Sequence, residues 1–318
     1  MTFRTFGKTG WRVSPVGVGC WQFGGVIMLD GKPDGWTGVN DDESIAAIQR
    51  AVELGINFFD TADMYGWGRS EEIVGKTLKP HRDRVFIATK VGYWHDDQGR
   101  RTFNESKDYI LRACESSLRR LQTDRIDLYQ CHLSRTKQWT EFLDAFELLQ
   151  QQGKIRHFGI STHDFDVMQG FNGRNNLASV QSNYNLLDRT PEQRTLPYCQ
   201  KHGIAFIARG PLAMGKLSGN YSKDAKFDSQ DIRNKWLEDG NRNGFERDMA
   251  TVEKLRPVAA HLGITLSQLA IRFALGHEAV SIAIPGAKNR KQLEGNVAAA
   301  SLPPLTRDET AAAEKAIE

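Results

Sequence analysis

The chain has 318 residues, 40% of them hydrophobic, and its 42 basic residues nearly balance its 39 acidic ones. This length accommodates one large domain or two medium ones, and the balanced charge without long basic runs argues against a nucleic-acid-binding protein. The four cysteines show neither a disulfide framework nor metal-ligand spacing. With no apolar leader and no long apolar run, we expect a cytoplasmic protein without a membrane span or a metal site.

Short apolar runs alternate with helical patterns along the chain. The segment Phe3–Val13, with two glycines near its centre, predicts an N-terminal β-hairpin. Eight apolar runs rich in Val, Ile and Phe then predict buried parallel strands. These runs are Val16–Cys20, Asn57–Asp60, Val85–Thr89, Ile126–Gln130, His157–Ser161, Ser179–Gln181, Ile204–Ala208 and Ser281–Ile284.

Helical periodicity fills the segments between these runs. It predicts helices over Glu43–Leu54, Ser70–Leu78, Glu105–Leu121, Trp139–Gln152, Asp164–Gly170, Glu192–His202, Arg247–Leu262, Leu266–Leu275 and Arg290–Ala299. Eight strands alternating with at least as many helices favour an α/β protein with a single (β/α)8 barrel over residues 1–318. Two irregular stretches, Gly24–Asn40 and Ala213–Phe245, are expected as long βα loops at the C-terminal face of the barrel.

A doubly wound sheet is the alternative fold, and it would need a phosphate-binding fingerprint after an early strand. The first apolar run contains a Gly-x-Gly pair, but Gln22 replaces the third glycine of the fingerprint. The segment from Gly210 to Lys216 nearly matches a P-loop. It lacks the hydroxyl that binds Mg²⁺, because Leu217 stands at that position. The barrel is therefore the better prediction.

Polar residues follow consecutive predicted strands, where the functional groups of a barrel lie. Asp60 ends the second strand, and Tyr65 comes shortly after it. Lys90 follows the third strand and His132 the fourth. Asp60 and Lys90 would each be unfavourable alone at the barrel mouth, and as neighbours they could offset each other. Each residue alone has a structural explanation, but four of them at neighbouring strand ends indicate an active site.

Four segments, in chain order, resemble the signatures of the aldo-keto reductase superfamily. They are Phe58-Phe59-Asp60-Thr61-Ala62-x-x-Tyr65-Gly66 with Ser70-Glu71, Ile87-Ala88-Thr89-Lys90, Asp127-Leu128-Tyr129-Gln130-x-His132, and Ile284-Pro285-Gly286-Ala287-Lys288. The chain looks more like the bacterial and sugar-active branches than the mammalian aldose reductases. The resemblance implies an NADP-dependent oxidoreductase that transfers a hydride between nicotinamide and the carbonyl or alcohol carbon of a small aldehyde, ketone or sugar.

The resemblance also implies a catalytic tetrad of Asp60, Tyr65, Lys90 and His132. Tyr65 would be the general acid in reduction and the general base in oxidation. The Lys90 ammonium would lower the pKa of this phenol, and Asp60 would keep Lys90 charged and in place. His132 would donate a hydrogen bond to the carbonyl oxygen and orient the substrate.

Coenzyme contacts follow from the same resemblance. Ser161 and Gln181 would hold the nicotinamide carboxamide, while Thr162 stands where the family usually has Asn. Arg209 replaces an aromatic residue that stacks on the nicotinamide in many members. Lys288 adds positive charge for a 2′-phosphate, which favours NADP over NAD. The full set of expected coenzyme contacts is Gly19, Cys20, Trp21, Asp60, Ser161, Thr162, Gln181, Arg209, Gly210, Pro211, Leu212, Gly215, Gly286, Ala287, Lys288, Gln292 and Asn296.

The residues expected against the substrate are Trp21, Tyr65, Trp67 and His132. Two other functions remain open on the same barrel. A coenzyme-binding regulatory subunit without significant turnover, such as the β subunits of potassium channels, would keep the tetrad. A Schiff-base lyase would use the lysine of the tetrad as its nucleophile, which the neighbouring carboxylate disfavours because that amine must be neutral.

Overall fold

The computed structural model describes residues 1–96 and 98–317. Its strands in chain order are β1 (Arg4–Thr5), β2 (Arg12–Val13), β3 (Val18–Gly19), β4 (Val26–Leu29), β5 (Lys32–Gly35), β6 (Phe58–Asp60), β7 (Phe86–Val91), β8 (Tyr93–His95), β9 (Arg101–Phe103), β10 (Ile126–Cys131), β11 (Ile155–Ser161), β12 (Ser179–Asn183), β13 (Ala205–Arg209) and β14 (Val280–Ile284).

Eight of these strands form a nearly closed parallel barrel in the order β3-β6-β7-β10-β11-β12-β13-β14. Parallel bridges from Val16 to Ala283 and from Gly19 to Gly286 bring the two edges of the sheet together. Each of the eight predicted apolar runs overlaps one barrel strand. The predicted (β/α)8 barrel is therefore confirmed.

The helices are α1 (Asp41–Glu53), α2 (Arg69–Leu78), α3 (Lys107–Leu121), α4 (Trp139–Gln151), α5 (Phe165–Phe171), α6 (Thr195–His202), α7 (Arg242–His261), α8 (Leu266–Gly276), α9 (Arg290–Ala298) and α10 (Arg307–Ile317). All but α10 overlap a predicted helix, and the largest shift is the start of α7, predicted at Arg247. No single helix of the described chain has both the length and the hydrophobicity to cross a bilayer. Taken together, α7 and α8 meet both criteria, but the chain bends by 90° between them.

The N-terminal hairpin of β1 and β2 closes the end of the barrel where the strands begin. Phe6, between its strands, is fully buried, and its ring centroid lies 5.4 Å from that of Phe58 at the start of β6. Trp11 stacks on Phe86 at the start of β7, with ring centroids 4.5 Å apart. The hairpin therefore seals this end with aromatic side chains, and the opposite end remains for a binding site.

Two long loops cover that opposite end, as predicted. The first, Gly24–Asn40, contains the β4–β5 hairpin, and the second, Ala213–Phe245, contains two short 3-10 helices. A buried carboxylate joins the loops, because Asp231 accepts hydrogen bonds from the hydroxyl and the backbone N–H of Thr37 at 3.0 and 3.3 Å. A third hairpin, β8–β9, follows β7 and is not predicted by the sequence.

Gly75 lies where α2 packs on the end of α3, and the contact leaves no room for a side chain. A Cβ added at Gly75 would lie 2.5 Å from the Cα and the carbonyl carbon of Leu121. We expect Gly75→Ala to lower the free energy of unfolding by about 1–3 kcal/mol, because the two helices must separate. Thermal unfolding followed by circular dichroism measures this change as a lower Tm.

Gly295 in α9 provides the matched control, since an added Cβ there meets no atom within 4 Å. Gly295→Ala removes a flexible residue from a helix and should raise the free energy of unfolding by about 0.5–1 kcal/mol. Equal Tm changes for the two variants would contradict the tight contact at Gly75.

Candidate active site

The four predicted tetrad residues lie together at the C-terminal end of the barrel. Asp60 is the last residue of β6, and Lys90 lies near the end of the neighbouring strand β7. His132 directly follows β10, which pairs with β7, and Tyr65 lies in the loop between β6 and α2. Parallel strands present their C-terminal ends on one side, so residues that are distant in sequence meet there.

A buried ion pair between Lys90 and Asp60 forms the centre of this site. The Lys90 side chain is fully buried, and its Nζ donates to Asp60 Oδ1 at 2.5 Å and to the carbonyl oxygen of Thr61 at 2.8 Å. Burial lowers the pKa of Lys90, but the charge of Asp60, with smaller contributions from Tyr65 and from the hydrogen bond to Asp60, outweighs it and raises this pKa above its ordinary value. Lys90 therefore keeps its positive charge.

Two buried amides hold the second carboxylate oxygen of Asp60. Gln130 Nε2 donates to Asp60 Oδ2 at 3.0 Å and Gln181 Nε2 at 2.8 Å. Sequence reasoning missed Gln130, although it lies two residues before His132 and alternation along a strand directs both to one face. The Gln181 Oε1 atom is buried and has no hydrogen-bond partner in the described part of the chain, so it can accept from a ligand.

Tyr65 places its hydroxyl oxygen 3.3 Å from Lys90 Nζ. Its ring is buried and stacks on Trp21, with centroids 6.0 Å apart. Burial raises the pKa of Tyr65 above its ordinary value, and the nearby Lys90 charge reduces that rise without reversing it. Lys90 therefore lowers this pKa, as expected from the sequence, but the expectation did not include the larger opposing effect of burial. Tyr65 holds its proton at neutral pH, as a general acid must.

His132 is buried between two tyrosine rings, 5.7 Å from Tyr65 and 5.3 Å from Tyr93 by centroids. Burial, reinforced by the charge of Lys90, lowers the pKa of His132 well below its ordinary value. The imidazole is therefore neutral and has one N–H to donate. Its Nδ1 is buried without a hydrogen-bond partner among residues 1–96 and 98–317.

A cavity of about 1130 Å³ opens beside the tetrad and extends to α9. Its volume is at the upper end for small-ligand pockets. Lys90 lies behind Asp60 and does not form part of the wall. The expected site residues that line the cavity are Gly19, Cys20, Trp21, Asp60, Tyr65, His132, Ser161, Gln181, Arg209, Gly210, Pro211, Leu212, Gly215, Gly286, Lys288, Gln292 and Asn296.

Three other expected site residues lie away from this wall. Thr162 is buried and donates its hydroxyl to the carbonyl oxygen of Ser134 at 2.8 Å. Ala287 is buried in the main hydrophobic core. Trp67 packs on His95, with ring centroids 4.4 Å apart, and faces a separate cleft of about 550 Å³. The expected substrate contact of Trp67 and the side-chain contacts of Thr162 and Ala287 with the coenzyme are therefore not supported.

Arg209 extends its guanidinium across the ends of the neighbouring strands. Nε donates to Asn183 Oδ1 at 3.1 Å, Nη1 to Ser161 Oγ at 3.4 Å, and Nη2 lies 2.8 Å from His163 Nε2. Burial and the Arg209 charge lower the pKa of His163, so this imidazole is neutral. Each partner is thus uncharged. In the described ranges, no carboxylate oxygen lies within 4.0 Å of this guanidinium.

The loop that follows Arg209 has an unusual backbone. Ala213, Met214 and Gly215 are consecutive residues with positive φ angles of 47°, 55° and 98°. The left-handed conformation is unfavourable by about 1–2 kcal/mol for a residue with a side chain. Within the turn, the N–H groups of Ala213 and Gly215 donate to the carbonyl oxygens of Gly210 and Leu212, each at 2.8 Å. The glycines of this segment are visible in the sequence, but the left-handed Ala213 and Met214 are not.

Lys288 supplies positive charge at the far end of the cavity. Its Nζ donates to the carbonyl oxygen of Thr37 at 2.8 Å and lies 3.6 Å from Asp231. The Gln181 oxygen suits the carboxamide of a nicotinamide dinucleotide, and Lys288 suits one of its phosphates. In the described chain, no group of three or more His, Cys, Asp or Glu residues is placed to hold a metal ion.

Comparison with known proteins agrees with this geometry. Residues 15–318 match the aldo/keto reductase family. The chain belongs to this family. Aldo-keto reductase YhdN of Bacillus subtilis is 34% identical to it over 305 residues, which cover 92% of this chain and 87% of YhdN.

Solved structures of other members resemble this aldo/keto reductase over its whole length. The glycerol dehydrogenase AKR11B4 of Gluconobacter oxydans has a TM-score of 0.84 at 32% identity. The match covers 99% of this chain and 94% of the dehydrogenase. An aldo/keto reductase of Klebsiella pneumoniae, in complex with NADP and acetate, has a TM-score of 0.75 at 28% identity. The match covers 99% of this chain and 95% of the Klebsiella chain. This chain is therefore an oxidoreductase of the aldo/keto reductase class.

The neutral state of His132 should make this aldo/keto reductase less stable in acid. Its pKa in the folded chain lies well below 6.5, so below pH 6.5 the unfolded chain binds more protons than the folded chain. The stabilisation is complete above pH 6.5 and is lost as the pH falls, by up to about 1.4 kcal/mol per pH unit. We expect the Tm of His132→Gln to fall less than that of the wild type between neutral and mildly acidic pH.

The exposed His261 provides the control, and His261→Gln should follow the wild-type Tm across the same pH range. If His132→Gln loses as much Tm in acid as wild type does, the buried neutral imidazole is not responsible for the acid sensitivity.

Proposed function

We propose that this chain catalyses the NADP-dependent interconversion of a carbonyl compound and an alcohol, with Tyr65 as the general acid in reduction and the general base in oxidation. The observation that carries this proposal is the contact of the Tyr65 hydroxyl, at 3.3 Å, with a buried lysine that Asp60 keeps charged. A phenol beside a fixed cation, on the wall of a large cavity, can deliver a proton and then exist briefly as a stabilised phenolate.

Each residue of the tetrad has a separate part in this chemistry. In reduction, Tyr65 transfers its proton to the carbonyl oxygen, and the Lys90 charge stabilises the phenolate that remains. Asp60 positions Lys90, and its amide partners hold its own carboxylate in orientation. His132, which is neutral and beside Tyr65, donates a hydrogen bond to the same carbonyl oxygen.

The coenzyme supplies the hydride when bound. Ser161 and Gln181 would hold its carboxamide, and the loop from Gly210 to Gly215 would hold its phosphates. Lys288 favours NADP over NAD, because its ammonium can pair with the 2′-phosphate that NAD lacks. The relative from Klebsiella pneumoniae that binds NADP supports this preference.

The substrate is a small aldehyde, ketone or sugar, held between Trp21, Tyr65 and His132. These side chains provide aromatic faces and a hydrogen-bond donor at the cavity wall. The glycerol dehydrogenase among its relatives supports polyols as the alcohols of the reverse reaction. We further propose that residues 1–318 are one domain, and the four buried free cysteines support a reducing, cytoplasmic location.

Turnover of NADPH with a panel of aldehydes and aldoses, including 4-nitrobenzaldehyde, tests this proposal. Wild type should consume NADPH with at least one compound, and Tyr65→Phe should lower kcat by about 10²–10⁴-fold, because it has no proton to deliver. Tyr93→Phe is the matched control. Tyr93 lines the same cavity and packs on His132, but in the described part of the chain its hydroxyl forms no hydrogen bond with Lys90. Removal of this hydroxyl should therefore leave most of kcat.

Other outcomes would decide against the proposal. Equal kcat for Tyr65→Phe and wild type would exclude Tyr65 as the proton donor. Binding of NADPH without turnover in either direction would favour the regulatory-subunit alternative. A chain that binds neither NADPH nor NADH would contradict the function as a whole.

A further inference from the structure

Arg209 lies beside the residues proposed to hold the nicotinamide. Its Nη1 is 3.4 Å from the Ser161 hydroxyl, and Ser161 pairs with Gln181 across the adjacent ends of β11 and β12. Gln181 in turn donates to Asp60. The guanidinium therefore forms one continuous section of the cavity wall with Ser161, Gln181 and Asp60.

No carboxylate in the described part of this wall forms an ion pair with Arg209, although Asp60 and Asp188 attract its charge from farther away. Lys90 and Asp60 neutralise each other in their ion pair at 2.5 Å. The three hydrogen-bond partners of Arg209 are a hydroxyl, an amide and a neutral imidazole. The guanidinium is half-buried at the cavity wall, so solvent screens its charge less than it would on an open surface. A ligand in contact with the guanidinium therefore meets a positive charge that no carboxylate of the described chain offsets within 4.0 Å.

The two redox forms of a nicotinamide coenzyme differ in the charge of the nicotinamide ring. The oxidised ring carries a positive charge, and the reduced ring is neutral. A fixed guanidinium nearby disfavours the oxidised ring by like-charge repulsion and leaves the reduced ring unaffected. The remaining parts of the coenzyme have the same charge in both forms, so contacts with its phosphates cannot distinguish them.

We propose that Arg209 makes the site bind NADPH more tightly than NADP⁺ and thereby shifts the equilibrium on the enzyme toward alcohol oxidation. This inference rests on the proposed function. In the favoured direction the alcohol loses a hydride to the coenzyme and a proton to Tyr65, and the products are the carbonyl compound, NADPH and one proton. Arg209 thus shifts the equilibrium between the bound reactants and the bound products through its charge, while the overall equilibrium in solution is unchanged.

Separate dissociation constants for NADPH and NADP⁺, measured by titration calorimetry at fixed ionic strength, test this inference without turnover. We expect Arg209→Gln, which keeps hydrogen-bonding capacity but loses the charge, to lower the ratio Kd(NADP⁺)/Kd(NADPH) by about tenfold or more. For a two-electron couple, tenfold corresponds to a shift of about 30 mV in the potential of the bound coenzyme. Arg209→Lys, which keeps the charge, should retain most of the wild-type ratio.

Lys288→Gln is the matched control, because the 2′-phosphate is present in both redox forms. It should weaken binding of NADPH and NADP⁺ by the same factor and leave their ratio unchanged. An Arg209→Gln variant that binds both forms with the wild-type ratio would overturn the inference and leave the proposed function intact. Wild-type protein that binds neither form would instead overturn the proposed function.

Discussion

The buried ion pair between Lys90 and Asp60 is the interaction on which the rest of the site depends. An unpaired ammonium in the interior of a barrel is unfavourable by several kcal/mol, so Lys90 can remain charged there only beside a carboxylate. Gln130 and Gln181 occupy the other oxygen of that carboxylate and fix its direction. The result is a permanent positive charge next to the Tyr65 hydroxyl, and the residues that hold it lie on four strands rather than on flexible loops.

The order of strands and helices could be predicted because parallel strands buried on both faces consist of continuous apolar runs. Elements without such a pattern were missed. α10 buries only Ala313, so its apolar periodicity is weak. Its sequence signals are instead the capping box of Thr306 and Glu309 and a run of alanines, on which the prediction did not draw. The β8–β9 hairpin is short and its residues are largely exposed or half-buried, with Trp94 and Phe103 at 50% and 66% exposure. Its strands therefore lack the buried face that a sequence pattern reports.

The tetrad could be predicted because each of its residues follows a recognisable strand. The contacts that support it could not, since they depend on tertiary neighbours. Asp231 and Thr37 lie in irregular loops almost two hundred residues apart, and their contact at 3.0 Å is visible only in the folded chain. Trp67 is close to Tyr65 in sequence, but a positive φ of 51° turns the chain there and its ring packs on His95 instead. Proximity in sequence was a poor guide to the cavity wall.

The most direct test of the central claim is to follow the hydride itself. NADPH carrying deuterium at both C4 positions would be incubated with wild-type protein and an aldehyde that it reduces, and the alcohol product examined by mass spectrometry. Direct hydride transfer from the coenzyme predicts one deuterium on the carbinol carbon of each product molecule. An unlabelled alcohol, or bound NADPH that never transfers its label to any compound of the panel, would contradict it.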